Sequence, residues 1–169
     1  MEHIYIALLS YISGSIPFGL ILTKIFNNQD IRKVGSGNIG ATNVYRSGKK
    51  ILAIVTLLLD MAKGYLPVYL VYNFNPEYVH YAALLAFLGH LFPVWLKFKG
   101  GKGVATYLGI LFALSIALSI LFIFTWVTVI LIFNYSSVSS IFSSLTVFVV
   151  TIYREVFHVL HYGKFAQEI

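Results

Sequence analysis

The stretch ILAIVTLLLDMAKGYLPVYLVYN, residues 51–73, decides the class of fold. It is apolar over more than the roughly 20 residues a helix needs to cross a bilayer. Only Asp60 and Lys63 interrupt it, three residues apart and so on one helix face. A polar, glycine-rich segment at 27–50 precedes it, and Asn73-Phe74-Asn75-Pro76-Glu77 closes it with a short turn. A second apolar run at 78–96 follows at once, so the two read as a hairpin of membrane spans. Similar runs lie at 4–26, 104–133 and 138–153.

The composition agrees. Of 169 residues, 59% are hydrophobic and 11% charged, which lies outside the soluble globular range. The expected fold is all-α, a polytopic transmembrane helical bundle forming a single domain over 1–169. The run 104–133 would make a helix about 45 Å long against a hydrocarbon core of about 30 Å. It either tilts strongly or breaks near Ser115 or Ser119 into two short helices; the break is the expected outcome, giving about six spans within a range of five to seven. The first run lacks a basic leader and contains Ser13-Gly14-Ser15-Ile16-Pro17, which argues against a removable signal peptide. The absence of cysteine excludes disulfides, thiolate metal sites and a cysteine nucleophile.

Basic residues cluster in two gaps. Lys24, Arg32, Lys33, Arg46, Lys49 and Lys50 surround the first, and Lys97, Lys99 and Lys102 occupy the second. The positive-inside tendency places both gaps in the cytoplasm, and the turn at 73–77, with one acid and no base, outside. The hairpin between them returns the chain to the same side, in agreement.

The first gap contains Val34-Gly35-Ser36-Gly37-Asn38-Ile39-Gly40-Ala41-Thr42-Asn43-Val44-Tyr45-Arg46. Three glycines within six residues let successive N–H groups converge on an anion. Ser36, Asn38, Thr42 and Asn43 add neutral hydrogen-bonding groups, and Arg46 offers a planar fork to phosphate oxygens. The spacing Gly35, Gly37, Gly40 matches a dinucleotide fingerprint only formally, because a membrane span and not a strand precedes it. A P-loop is excluded because Ala41-Thr42 stands where lysine and a hydroxyl residue are required. The competing reading is a solvated loop with glycines for turns.

In the second gap, Gly100-Gly101-Lys102-Gly103 forms another flexible cationic turn. Lys97 and Lys99 read as topology signals near lipid headgroups, whereas Lys102, flanked by glycines, is the better ligand candidate. His90 lies about two turns away within a span. It is either a proton acceptor or a histidine hydrogen-bonded to a neighbouring helix. Asp60 and Lys63 are costly at membrane depth unless paired or facing a polar cavity. They either seal the bundle as a pair or support the substrate. Ser15 and Gly19 make a small-residue packing face.

These stretches resemble the bacterial acyl-phosphate:glycerol-3-phosphate acyltransferase family, PlsY. The match is carried by Gly14-Ser15-Ile16-Pro17-Phe18-Gly19, by Gly35 to Arg46, by Leu59-Asp60-Met61-Ala62-Lys63-Gly64, and by Gly89-His90 through Gly103 into Val104-Ala105-Thr106. It is close over about residues 1–110. The resemblance implies acyl transfer from acyl phosphate to the 1-hydroxyl of glycerol 3-phosphate, giving lysophosphatidic acid and phosphate, the first step of bacterial phospholipid synthesis. It implies no cofactor and no metal. The partners are glycerol 3-phosphate, acyl phosphate and membrane lipids, with no nucleic acid, and the expected assembly is a monomer. The expected location is the bacterial inner membrane, multi-pass, with the active site towards the cytoplasm.

By matched position, Ser36, Arg46 and Lys102 hold the two substrates' phosphates and Asn43 supports them. Gly37, Asn38, Gly40, Thr42, Gly100 and Gly101 complete the phosphate site. His90, Ser36 and Lys102 are the catalytic candidates, and Asp60 and Lys63 are supporting residues. At the C-terminus the family's basic, asparagine-containing segment is only begun by Ile152-Tyr153-Arg154-Glu155-Val156-Phe157. The alternative function is a small membrane transporter or binding protein for an organic phosphate, but no internal symmetry of the transporter kind is visible.

Overall fold

The computed structural model describes residues 2–162, with side chains described through Phe157. Among the described residues eight α-helices follow in order: α1 (Glu2–Ser15), α2 (Phe18–Asn27), α3 (Ala41–Arg46), α4 (Lys50–Phe74), α5 (Val79–Leu91), α6 (Val104–Leu114), α7 (Ile116–Phe133) and α8 (Ser136–Tyr162). No strand occurs among the described residues. Among the described residues five helical stretches are long and apolar enough to cross a membrane: Glu2–Asn27, Lys50–Phe74, Pro76–Leu96, Ile116–Phe133 and Ser136–Phe157. With the shorter apolar α6 they match the expected all-α transmembrane bundle.

The helix breaks have local causes. Pro17 has no N–H to continue a helix, and the chain bends between Ser15 and Phe18. The expected span 78–96 is helical only to Leu91. Phe92 precedes Pro93, whose ring drives its neighbour out of the helical region, and a short 3-10 turn at Val94–Leu96 follows. The run 104–133 breaks at Ser115, which is extended (φ −161°, ψ 111°).

The chain divides into two compact units, Met1–Ile116 and Ala117–Ile169. In the first, glycines let helix backbones touch. A side chain on Gly14 would strike the carbonyl of Ala86, and one on Gly89 would strike that of Tyr11. Each glycine thus sits over the carbonyl three residues before its partner. The His3 and Tyr78 rings meet at the far end, so α1 and α5 run parallel. Gly64 and Gly109 repeat the pattern between α4 and α6, over the carbonyls of Thr106 and Met61. Lipid tails are as apolar as the helices, so such close backbone contact replaces hydrophobic burial as the packing force.

Two apolar clusters flank these crossings. Val68, Val71, Val79, Ala82 and Ile110 fill one. Leu20, Ile31, Ile39, Val44 and Ala53 form the other, beneath the first polar loop. Large apolar side chains such as Leu58, Leu66 and Tyr69 remain exposed, as a lipid-facing surface requires.

The second unit is a pair of helices. Trp126 Nε1 donates to Ser140 Oγ at 3.3 Å, and the Phe133 and Phe142 rings stack. Along α8, Ser139, Ser140, Ser143, Ser144, Thr146 and Thr151 each donate to the carbonyl four residues back. Their hydroxyls are satisfied within the helix, which lets so polar a sequence sit in an apolar span.

Candidate active site

The first loop is organised around one amide. Asn43, 1% exposed, donates through Nδ2 to the carbonyls of Ile31, Val34 and Asn38 at 3.1, 2.9 and 2.8 Å. Its Oδ1 accepts the Ser36 N–H at 3.0 Å. Gly35 and Gly37 take positive φ, 55° and 70°, which lets the chain curl round that amide. Asn38 Oδ1 accepts the Gly40 N–H at 2.8 Å, just where α3 begins. Arg46 stands in the last turn of α3, and Ser36, Thr42 and Arg46 are all exposed.

Asp30 closes the loop's near side. Its carboxylate accepts from the Arg32 N–H, Nε and Nη2 at 3.1, 2.9 and 2.6 Å. The Arg32 guanidinium holds this carboxyl well below the usual carboxylate range. Gly19 lies against the Ile39 carbonyl, so the loop rests directly on α2.

The second turn is built on α5. The Gly100 and Gly101 N–H groups donate to the carbonyls of Leu91 and His90 at 3.0 and 3.1 Å. A side chain on Gly101 would meet the His90 ring, and one on Gly103 (φ 80°) the Phe87 ring. Lys102 is left as the exposed residue of the turn. Lys97 and Phe98 both adopt left-handed φ, 52° and 61°, at the approach to it. Leu96 packs on the apolar cluster beneath the first loop, so both loops lie at one end of this unit.

Between the helices lies a buried polar cluster. Lys63 Nζ is 2.8 Å from Asp60 Oδ1, with both side chains at most 3% exposed. Lys63 also donates to the Ile16 carbonyl at 2.6 Å, at the break made by Pro17, and lies 5.7 Å from the Phe18 ring centroid. The ammonium thus shares the Ile16 carbonyl with the Phe18 N–H, which donates to it at 3.1 Å across the break. The approach of Lys63 to Asp60 is close but poorly aligned, so Oδ1 has the ion pair without a formal hydrogen bond. His90 Nδ1 stands 4.0 Å from that oxygen and 3.0 Å from Thr106 Oγ1.

The structure thus brings Asp60, Lys63 and His90 together; Asp60 and Lys63 form the mutual pair that was one of the two readings of their spacing, and His90 joins them. Ser36, Gly37, Asn38, Gly40, Thr42, Asn43 and Arg46 form one loop, and Gly100, Gly101 and Lys102 form the other. Asn43 is committed to backbone groups of its own loop. Sequence reasoning missed four contributors. Thr106 meets His90, and Ser13 Oγ donates to the Lys63 carbonyl at 3.0 Å. Trp95 Nε1 donates to Ser15 Oγ at 2.8 Å, so Ser15 does more than pack. Gly14, and not Gly19, is the residue that lets α1 touch α5. Intramembrane hydroxyls near a charged pair were the available signal.

The glycerol-3-phosphate acyltransferase family model matches residues 4–166. The chain belongs to that family. It is 60% identical over 148 residues to the glycerol-3-phosphate acyltransferase of Pelagibacter ubique strain HTCC1062, covering 87% of this chain and 77% of that protein. To the glycerol-3-phosphate acyltransferase of Wolbachia pipientis subsp. Culex pipiens strain wPip it is 54% identical over 144 residues, covering 83% and 75%. Among solved structures, the glycerol 3-phosphate form of PlsY (YgiH), an integral membrane glycerol 3-phosphate acyltransferase, superposes with a TM-score of 0.86 at 34% identity, covering 91% of this chain and 78% of that one. Its lysophosphatidic acid form gives 0.83 at 32% identity with the same coverage. Family membership and the apolar helices together make this a multi-pass membrane protein.

Proposed function

We propose that the chain transfers a fatty acyl group from acyl phosphate to the 1-hydroxyl of glycerol 3-phosphate, giving lysophosphatidic acid and inorganic phosphate. The observation that carries this reading is the first loop, a glycine-rich turn closed round the Asn43 amide and ending in exposed Arg46, at the same end of the unit as the exposed Lys102 turn. Two cationic turns at one end of a membrane bundle suit two phosphate-bearing substrates, one soluble and one with an apolar tail. The glycerol 3-phosphate and lysophosphatidic acid forms of PlsY lend support, since they name an acceptor and a product for a protein of this family.

The acceptor oxygen forms a bond to the acyl carbon, the carbon–oxygen bond to phosphate breaks, and phosphate leaves with its electron pair. Acyl phosphate is an activated mixed anhydride, so no covalent enzyme intermediate is required. Ser36, Arg46 and Lys102 bind the phosphates, with the Asn38 amide and the Thr42 hydroxyl as neutral donors. Gly37, Gly40, Gly100 and Gly101, whose N–H groups are bonded to Val34, Asn38, Leu91 and His90, shape the two turns instead of donating to the ligand as the glycine spacing led one to expect. Arg46 and Lys102 offset charge on the departing group, and alignment of hydroxyl with carbonyl supplies much of the acceleration. Asn43 supports this site from beneath. The hydroxyl proton passes to a base within reach, with His90 beside the reacting centre and a substrate phosphate oxygen as the two candidates. The reaction takes place at the cytoplasmic face of a bacterial inner membrane, where the positive-inside tendency puts both loops.

The test is phosphate release by the purified protein in lipid nanodiscs, given palmitoyl phosphate with and without glycerol 3-phosphate. Acceptor-dependent release accompanied by lysophosphatidic acid is the expected result. Binding of glycerol 3-phosphate without any transfer would refute acyl transfer in favour of a binding or transport role.

A further inference from the structure

We infer that His90 is a positioning residue, an imidazole pedestal fixed by Thr106 on which the Gly100–Gly103 turn rests and which thereby sets Lys102. The inference rests on the acyl-transfer reading, since it concerns how the phosphate-binding lysine of that reaction is held.

The ring is enclosed on both of its polar edges. Nδ1 lies 3.0 Å from Thr106 Oγ1, a hydroxyl that is itself fully buried. The Nε2 edge faces Gly101. All three of the atoms nearest to a side chain at that position belong to the His90 ring, Nε2 first. The residue as a whole is 3% exposed. A general base must come within about 2.6–3.2 Å of the proton it takes, directly or through one water. Neither nitrogen has such an approach unless the turn lifts off the ring.

The same contacts explain how the turn is placed. His90 holds it twice, by its carbonyl to the Gly101 N–H at 3.1 Å and by the ring beneath the Gly101 Cα. Leu91 and Phe87 back Gly100 and Gly103. Three of the four residues of the turn therefore lie flat on α5, which leaves Lys102 as the one that projects. Beneath the ring, Thr106 abuts Gly64, the neighbour of Lys63, and the Asp60 carboxylate lies 4.0 Å from Nδ1. The pedestal is thus continuous with the buried ion pair. Asp60 and Lys63 are the ionisable groups packed around it from α4.

Steady-state kinetics in nanodiscs test this with wild type, His90→Gln, Gly101→Ala and the double variant Gly101→Ala/His90→Ala. Glutamine keeps a polar group of similar reach against Gly101. His90→Gln is expected to hold kcat within about tenfold, to raise KM for glycerol 3-phosphate, and to leave the pH profile of kcat unchanged. Gly101→Ala is expected to lose at least tenfold in kcat/KM, and removing the ring in the double variant to recover part of that loss, because the two residues share one contact.

A His90→Gln enzyme that loses about 10²- to 10⁴-fold in kcat at unchanged KM, with the acidic limb of its profile gone, would make His90 the base and overturn the inference. A double variant no better than Gly101→Ala would also overturn it. Should Gly101→Ala not fold, the kcat and pH behaviour of His90→Gln decides alone. Wild type that releases no phosphate overturns the acyl-transfer reading, and this one with it.

Discussion

Lys63 reaches from the middle of α4 to the carbonyl of Ile16, 2.6 Å from its Nζ, while its other close partner is the Asp60 carboxylate at 2.8 Å. One buried ammonium thus answers both the charge of its own helix and a carbonyl at the Pro17 break, which it shares with the Phe18 N–H. Burying a pair of charges costs several kcal/mol per ion, and this geometry offsets the cost only while both partners remain.

Lys63→Met should therefore destabilise the folded protein by about 3–5 kcal/mol, because it strands the carboxylate and removes one of the two donors to the Ile16 carbonyl. Asp60→Asn combined with Lys63→Met should recover part of that loss, since no isolated charge remains. Thermal unfolding of the detergent-solubilised protein reads both. Equal melting temperatures for the single and double variants would mean the two side chains are not coupled.

Gly64 and Gly109 hold α4 and α6 at backbone contact, each with no room for a Cβ. Gly64→Ala must push the helices apart at the level of Thr106. Overpacking of this kind costs about 1–3 kcal/mol. The same change at Gly48, where nothing lies within 4 Å, should not force any neighbour aside, although its φ of 86° disfavours a side chain there. Unfolding midpoints of the two variants give the comparison, and an equal loss at both would show that helix contact is not what Gly64 protects.

Asn43→Ala removes the amide that ties Ile31, Val34, Ser36 and Asn38 together. Leaving such buried groups unpaired costs about 1–3 kcal/mol each, most of it local to the loop. KM for glycerol 3-phosphate should rise about tenfold or more, and amide exchange across 31–43 should accelerate while α4 and α5 keep their protection. Loss of protection throughout would make Asn43 a determinant of the whole fold.

Arg46→Ala should lower kcat/KM by about 10- to 100-fold, the worth of a hydrogen bond or two to a charged group. Arg46→Lys should restore only part, because a point charge cannot make the bidentate contact. Full activity in the lysine variant would indicate that charge alone is used at this position.

Acid should loosen the first loop through Asp30. Its folded-state carboxyl titrates below the ordinary value of 3.8, so the stabilisation from Arg32 is complete above that value. It is lost as the pH falls from there towards the lower folded-state value. Amide exchange at Ile31–Lys33, followed from pH 6 downward, should show this sensitivity in wild type and not in Asp30→Asn. The contribution to global stability is small, as for any exposed ion pair.

What the sequence determined by itself is what periodicity, length and charge placement report. Residues 51–73 are too apolar and too long for anything but a span, and the basic gaps fix which loops share a side. Three glycines before Arg46, with Lys102 set between glycines, marked two flexible basic turns, and length left the run 104–133 either to tilt strongly or to break near Ser115 or Ser119. Only the tertiary structure could decide which small residues bring helices together. Gly14, Gly64, Gly89 and Gly109 look no different in sequence from Gly19, and their meaning lies in a carbonyl on another helix. Likewise a buried amide such as Asn43 reads as a ligand until its partners are seen. His90 reads in sequence as either a proton acceptor or a partner of a neighbouring helix, and only the fold shows its two edges against Thr106, sixteen residues away, and the backbone of Gly101. Local chemistry is written along the chain, whereas the partner that satisfies a polar group inside a membrane is chosen by which helices lie side by side.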